Sequence, residues 1–377
     1  MTVHRISTSL LYPLLSVAAA TTPLIAHAEE AAMACTTIED NAARLACFDK
    51  VYAAQLPPSS DVLATTNTPK RPIDLSKSWD ASVDQGTTTV VLAKPTNQEA
   101  IINTDAYTPL STLYDLDQND SNGILTVRAH NPMYLLPGWF NSKPNYNPGT
   151  PSQDTVHYSR EDQKKIEAKM QISFKTKLLE DLFRTRADLW FGYTQQSHWQ
   201  VWNGHTSAQF RNTDYMPELF ITQPVHANLP WGGKLRMIGA GYLHQSNGQS
   251  DPLSRSWNRI YAMAGAEWGN LTVIPRVWWR IPESKSDDNN PDINRYMGYG
   301  DLRLQYRFSD AKTLGTTLRL NPKTGKGSMQ LDYSFPLVGK LKGYVQAYDG
   351  YGESLLDYNH RHRSIGIGIL MNDWDGF

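Results

Sequence analysis

The chain has 377 residues and a formal net charge of −1, so its electrostatics give no support to a nucleic-acid partner. Mean hydropathy is −0.49, and after residue 30 no apolar run reaches the roughly 20 residues of a spanning helix, which excludes a helical membrane protein. The 11 Trp and 19 Tyr suit either a β-rich surface or aromatic belts at the two faces of a membrane.

Residues 1–28 read as a secretory signal peptide. Arg5 gives a weak positive start, Ser9 to Ile25 is mostly apolar, and Ala26-His27-Ala28 supplies the small-x-small pattern before Glu29. Export places Cys35 and Cys47 in a compartment that permits disulfides. One straight helix would hold them about 18 Å apart, too far to bond. The expectation is therefore a disulfide that pins two short helical turns bent near Asp40-Asn41. Residues 29–121 read as a small N-terminal periplasmic segment and linker. Ala-rich helical text runs to about Ala54, then Pro57-Pro58-Ser59-Ser60 opens a Thr/Pro/Asp-rich stretch through Pro72. No chemistry is legible there.

Residues 122–377 change to alternation. Lys165-Ile166-Glu167-Ala168-Lys169-Met170-Gln171-Ile172-Ser173-Phe174-Lys175 is polar and apolar by turns, as are Asp301-Leu302-Arg303-Leu304-Gln305-Tyr306-Arg307-Phe308 and Ser328-Met329-Gln330-Leu331-Asp332-Tyr333-Ser334-Phe335. Period two predicts strands with one apolar face. The polar face repeatedly carries Lys, Arg, Asp and Glu in mid-strand, which suits a barrel with a polar lumen and lipid outside. Short links near 228–233, 268–270, 309–311 and 337–340 alternate with long polar ones near 139–163, 202–212, 247–256, 282–295 and 350–361. Outer-membrane barrels alternate short periplasmic turns with long external loops in this way. The expected fold is all-β: a twelve-stranded antiparallel transmembrane β-barrel, ending in Phe377.

Chemistry concentrates between His244 and Arg259. His244 and Ser246 stand two apart at a strand end, so both point to one face. His244 can take the Ser246 proton as general base. Asn258 opens the returning strand, where its amide oxygen can hold the other imidazole nitrogen. Asn258 shares its side with Ile260, Ala262, Ala264 and Ala266, which puts the site on the lipid-facing wall at headgroup height and points to lipid esters. Asn is neutral and stabilises an imidazolium less than Asp would. The loop compensates with Asp251, Ser254, Ser256 and free carbonyls, oxygen donors of the kind Ca²⁺ prefers, and with the Gly248 N–H as an oxyanion donor. No G-x-S-x-G elbow is present. His205, His226, His360 and His362 lack zinc-like spacing and read as surface residues. Two other classes compete: a non-enzymatic outer-membrane pore or surface-binding barrel, and a soluble secreted β-sandwich hydrolase.

The run His244-Gln245-Ser246-Asn247-Gly248, continuing Ser250-Asp251-Pro252-Leu253-Ser254-Arg255-Ser256-Trp257-Asn258-Arg259, closely resembles the signature of bacterial outer-membrane phospholipase A. Gly192-Tyr193-Thr194-Gln195-Gln196-Ser197, Asn290-Pro291-Asp292-Ile293 with Tyr296-Met297-Gly298-Tyr299, and Tyr351-Gly352-Glu353-Ser354-Leu355-Leu356-Asp357-Tyr358-Asn359 match as well. The resemblance covers roughly residues 123–377. It implies a twelve-stranded barrel, calcium-dependent hydrolysis of phospholipid acyl esters, a resting monomer and an active homodimer. By position, it implies Ser246 as nucleophile, His244 as base, Asn258 as orienting residue and Gly248 at the oxyanion. It also implies calcium binding by Ser254 and the Gln249 carbonyl, completed by Ser207 of a second copy. Asp251 matches a position of a second, monomer-type calcium site, and Gln195 a polar residue of the dimer interface. Gln249 stands where the family usually has arginine; a backbone ligand survives that change, whereas a guanidinium role does not. Ala208, beside Ser207, also departs from the pattern.

Overall fold

The structure, a computed structural model, describes Cys47 and residues 73–74, 108–117, 123–309, 312–339 and 341–372. The expected signal segment 1–28, Cys35 and Phe377 lie outside the described residues; Cys47 is disulfide-bonded. The chain divides into two units, Met1–Thr68 and Pro69–Phe377, and the second carries the sheet and the site.

Alternating polar and apolar text becomes twelve long strands: β1 (Met133–Asn141), β2 (Ile166–Leu182), β3 (Ala187–Trp199), β4 (Phe210–Leu229), β5 (Gly233–Ser246), β6 (Ser256–Trp268), β7 (Leu271–Arg280), β8 (Gly300–Ser309), β9 (Lys312–Asn321), β10 (Lys326–Val338), β11 (Leu341–Gly350) and β12 (His362–Asn372). Each pairs antiparallel with the next, and β12 pairs back onto β1, closing the barrel. Closure leaves no unpaired edge among these strands. The short connections β2–β3, β4–β5, β6–β7, β8–β9 and β10–β11 join strand ends at one end of the barrel. The links 142–165, 200–209, 247–255, 281–299 and 351–361 gather at the other, with only the β9–β10 link at 322–325 short among them.

The period-two pattern sorts the two faces as expected. On β8, Asp301 and Gln305 are buried while Tyr306 and Phe308 are exposed; on β10, Asp332 and Ser334 are buried while Met329, Leu331 and Tyr333 are exposed. The outer wall is thus apolar. The lumen holds buried charge, and much of it is paired, as desolvation demands. Lys169 Nζ meets Glu353 Oε1 at 2.8 Å, Arg276 Nη2 meets Asp301 Oδ2 at 2.5 Å, and Arg211 bridges Glu167 at 2.8 Å and Asp357 at 2.9 Å. His362 is a correction to the sequence reading: it is buried, with Nε2 2.6 Å from Glu353 Oε2.

Both ends of the barrel are filled. At the short-turn end lies a helix, α1 (Pro109–Tyr114), that the sequence reading leaves in the N-terminal segment. Thr108 caps it, Pro109 suits its first turn, and Asp115 ends it in the left-handed region with φ 52. Leu110, Leu113, Tyr114 and Leu116 are buried in one cluster with Trp190, Phe220 and Met237 of the inner wall. Polar ties fix the segment: Leu110 N donates to Glu267 Oε1 at 2.9 Å, Lys177 Nζ meets Asp115 Oδ2 at 2.6 Å, and Arg236 Nη2 meets Asp117 Oδ2 at 2.7 Å. At the long-loop end, Ser354, Leu355, Leu356, Asp357 and Tyr358 fold inward and are buried. Leu355 N donates to Asp214 Oδ2 at 2.8 Å and Tyr358 Oη to Asp292 Oδ1 at 2.5 Å. Between the plugs the lumen keeps a polar cavity of about 110 Å³, lined in part by Asn131, Gln171, Gln196 and Gln330.

Candidate active site

The hairpin β5–β6 places the three residues. Its inner face sets the register: Gln245 Oε1 accepts from Trp257 Nε1 at 3.0 Å and from Arg259 Nη2 at 2.9 Å, and the Arg259 guanidinium lies 3.8 Å above the Trp257 ring. A one-residue slip would turn this set outward, so the inner face fixes what the outer face presents. On the outer face, His244 lies directly opposite Asn258 and Ser246 opposite Ser256. Tyr242 and Ile260, on the same side, are exposed, so the site opens on the apolar wall at the long-loop rim.

His244 Nδ1 lies 2.8 Å from Asn258 Oδ1, which also accepts from Tyr242 Oη at 2.6 Å. Asn258 Nδ2 donates to Glu283 Oε1 at 2.9 Å. With Nδ1 donating to Asn258, the imidazole keeps its Nε2 lone pair for a proton. Ser246 shares the strand face of His244, yet among the described residues its hydroxyl makes no hydrogen bond to the imidazole. Such bonds often close only when substrate arrives.

The β5–β6 loop is held by Asn247. Its Oδ1 accepts from Arg255 N at 2.9 Å and its Nδ2 donates to the Leu253 carbonyl at 2.8 Å. Arg255 Nη1 adds bonds to the Pro252 and Ser254 carbonyls at 2.8 and 2.7 Å. Gly248 sits in this loop at φ 63, where a Cβ would come 3.0 Å from the Tyr215 ring. Glycine is therefore demanded twice, by the left-handed backbone and by the aromatic neighbour.

The residues expected to bind calcium are only partly assembled. Among the described residues no group of three or more His, Cys, Asp and Glu side chains is arranged for a metal ion. Hard oxygen donors are nonetheless grouped at the loop. Asn289 Nδ2 donates to Ser254 Oγ at 2.9 Å, and Gln153 Nε2 bridges Asn289 Oδ1 at 2.6 Å and Asp251 Oδ1 at 3.1 Å. The Gln249 side chain turns away, donating to the Arg211 carbonyl at 3.1 Å, so only its backbone can serve as ligand. This donor set has the chemistry of a Ca²⁺ site. Ser207 lies on the 200–209 link, where its carbonyl accepts from Trp199 Nε1 at 2.9 Å, and among the described residues no hydrogen bond joins it to these donors. Gln195 lies in mid-strand on β3 and receives the Tyr193 hydroxyl at 3.0 Å.

Sequence reasoning missed two members of this constellation. Tyr242 was legible as a neighbour on the face of His244, but nothing indicated where its hydroxyl would go. Glu283 carried no signal, since it comes from the next link, which is held at Asn258 by the Ile281 N–H donating to the Asn258 carbonyl at 2.8 Å.

Comparisons with known proteins bear on the family and the fold. The family model described as "Phospholipase A1" matches residues 110–371, and so takes in α1. The chain is 55% identical over 361 residues to a putative phospholipase A1 of Neisseria meningitidis serogroup B, covering 94% of each chain. It is 40% identical over 213 residues to phospholipase A1 of Escherichia coli, covering 56% of this chain and 72% of that one. Among solved structures, outer membrane phospholipase A from Escherichia coli superposes with a TM-score of 0.61 at 32% identity, covering 71% of this chain and 98% of the other. A Salmonella typhi outer membrane phospholipase dimer with bound calcium superposes with a TM-score of 0.60 at 34% identity, over 71% and 97%. The chain belongs to the phospholipase A1 family and is an outer-membrane β-barrel enzyme that hydrolyses phospholipids.

Proposed function

We propose that the protein cleaves acyl esters of phospholipids and lysophospholipids at the outer barrel wall, with both A1 and A2 activity, as a calcium-dependent homodimer. The reading rests on one observation above the rest: the 2.8 Å contact between His244 Nδ1 and Asn258 Oδ1 on the apolar, outward face, with Ser246 two residues along. A filled lumen supports an enzyme working on its exterior over a conducting pore.

In this reading Ser246 Oγ attacks the ester carbonyl while His244 Nε2 takes its proton. Asn258 keeps the imidazole in the tautomer that can accept it. The Gly248 N–H donates to the oxyanion. His244 then returns the proton to the departing glycerol oxygen, leaving an acyl-serine. Water, deprotonated by the same nitrogen, releases the fatty acid. Ser254 Oγ and the Gln249 carbonyl would hold calcium with Ser207 of a second copy, and Asp251 would serve a second, monomer-type site. Calcium, when bound, supplies positive charge that polarises the ester and stabilises the oxyanion. Gln195, a polar side chain in mid-strand on β3, would serve the dimer interface, where polar side chains can hydrogen-bond between copies. We also propose that residues 1–28 are a cleaved signal, that 29–121 form an N-terminal periplasmic segment running into α1, and that Cys35 closes a disulfide with Cys47.

The test is fatty-acid release from phospholipid mixed micelles by the refolded chain, first with Ca²⁺ and then with EDTA. Release that EDTA stops and Ser246→Ala abolishes is expected. Release that survives both would overturn the reading.

A further inference from the structure

We infer that Glu283 is a positioning residue for the ester hydrolysis, acting through Asn258. The inference rests on the Ser246–His244–Asn258 reading above and extends it by one member.

An amide such as Asn258 can be turned over at little intrinsic cost, and only one of its two orientations serves the base. With Oδ1 toward His244, the imidazole must donate from Nδ1 and keeps Nε2 as the proton acceptor. With Nδ2 there instead, Nδ1 must accept, Nε2 carries the proton, and the base is blocked. Tyr242 does not settle the choice by itself, because a phenol hydroxyl both donates and accepts. A carboxylate does settle it. Ionised, Glu283 can only accept, so the 2.9 Å contact from Asn258 Nδ2 fixes which end of the amide faces the strand.

The carboxylate is held for this contact and little else. The Glu283 side chain is 16% exposed, and the nearest cation, Arg280 Nη2, lies 3.8 Å from Oε2. Oε2 is buried and makes no hydrogen bond among the described residues. Arg280 is itself bound at 2.6 Å to Asp288 Oδ1. The Glu283 oxygen on Asn258 is thus the one engaged in a hydrogen bond, and its charge is incompletely offset. Negative charge behind the amide polarises it toward His244, which restores part of what a neutral Asn lacks when the imidazolium forms. The link itself is anchored to the strand it serves: Ile281 N donates to the Asn258 carbonyl at 2.8 Å, and Ser256 N donates to Asn290 Oδ1 at 3.0 Å.

The experiment is a double-mutant cycle on the refolded full chain in Ca²⁺-containing mixed micelles, with folding checked by heat-modifiable gel mobility. Glu283→Ala is expected to lower kcat about tenfold with KM held within about twofold, and Glu283→Gln, which keeps an acceptor oxygen but loses the charge and can itself be turned over, to recover only part of that loss. In an Asn258→Ala background, Glu283→Ala should change kcat little, because the residue through which it acts is gone. A native kcat for Glu283→Ala overturns the inference. So does a full, additive loss in the Asn258→Ala background, which would mark Glu283 as a loop-structuring residue. Failure of the underlying reading looks different: there Ser246→Ala or Asn258→Ala itself turns over at the native rate.

Discussion

Replacing Ser246 with Ala removes the hydroxyl that shares a strand face with His244 and leaves the barrel strands untouched. Fatty-acid release should fall at least about a thousandfold, while heat-modifiable gel mobility stays native. His244→Ala should do the same. Asn258→Ala should fall less, about ten- to a hundredfold, because in the proposed mechanism Asn258 orients the base and transfers no proton. Equal losses at His244 and Asn258 would contradict that division of labour. Gly248 offers a sharper geometric test. At φ 63 and with the Tyr215 ring 3.0 Å from where a Cβ would lie, Gly248→Ala must either strain the loop or move it. In the proposed mechanism its N–H then leaves the oxyanion position, and kcat should fall more than KM rises. These residues were legible because period two is local: positions two apart face the same way, and a loop of known length returns a strand opposite its partner. Glu283 was not legible, because its approach to Asn258 depends on how a polar link folds over the rim, and no periodicity governs that. Ser207 shows the other limit. Its spacing resembles the family's, but within one copy its hydrogen bond is with Trp199 and not with Ser254 or Asp251.

The strands were legible as a set because β2, β8 and β10 alternate plainly, with buried charges of the lumen recurring on one face, although β1 and β5 are apolar on both faces. The plugs were not. α1 is a six-residue helix, too short for a 3.6-residue period to register, and its apolar side chains gain their meaning from the barrel wall around them. That burial makes it testable. Leu110 is 0% exposed and packs in the cluster with Met237 and Phe220, so Leu110→Ala should lower stability by about 2–5 kcal/mol in reversible urea unfolding from micelles. Deleting 108–117 should open the short-turn end and raise conductance in planar bilayers; unchanged conductance would place the seal elsewhere, in the inward fold of 351–361. That second plug depends on charge. Burial pushes the Asp357 carboxyl up, but the Arg211 guanidinium at 2.9 Å outweighs it and holds the group below the ordinary carboxylate range. A depressed folded-state value means that its contribution is fully present above about pH 3.9, the value in an unfolded chain, and is lost as pH falls through the lower folded value. Hydrogen exchange of 351–361 should therefore accelerate in acid, below about pH 4, before the strands exchange. Asp357→Asn should remove that pH dependence.

In the proposed mechanism one copy presents a base, a hydroxyl and an oxyanion donor on a wall that faces lipid, and the calcium site takes Ser207 from a second copy. Such an exchange has a consequence that a monomeric enzyme cannot reproduce. Each site then takes Ser246 from one copy and Ser207 from the other. Ser246→Ala homodimers have no nucleophile, and Ser207→Ala homodimers should be weak when Ca²⁺ is limiting. Mixing the two variants before refolding builds heterodimers in which one site has both native serines and the other has neither. With random pairing half of the dimers are mixed and each has one intact site of two, so activity at limiting Ca²⁺ should return to about a quarter of native. Neither parent should approach that level alone. A mixture that shows only the average of its two parents would mean that each site is built within one copy, and that Ser207 acts, if at all, on its own side of the interface.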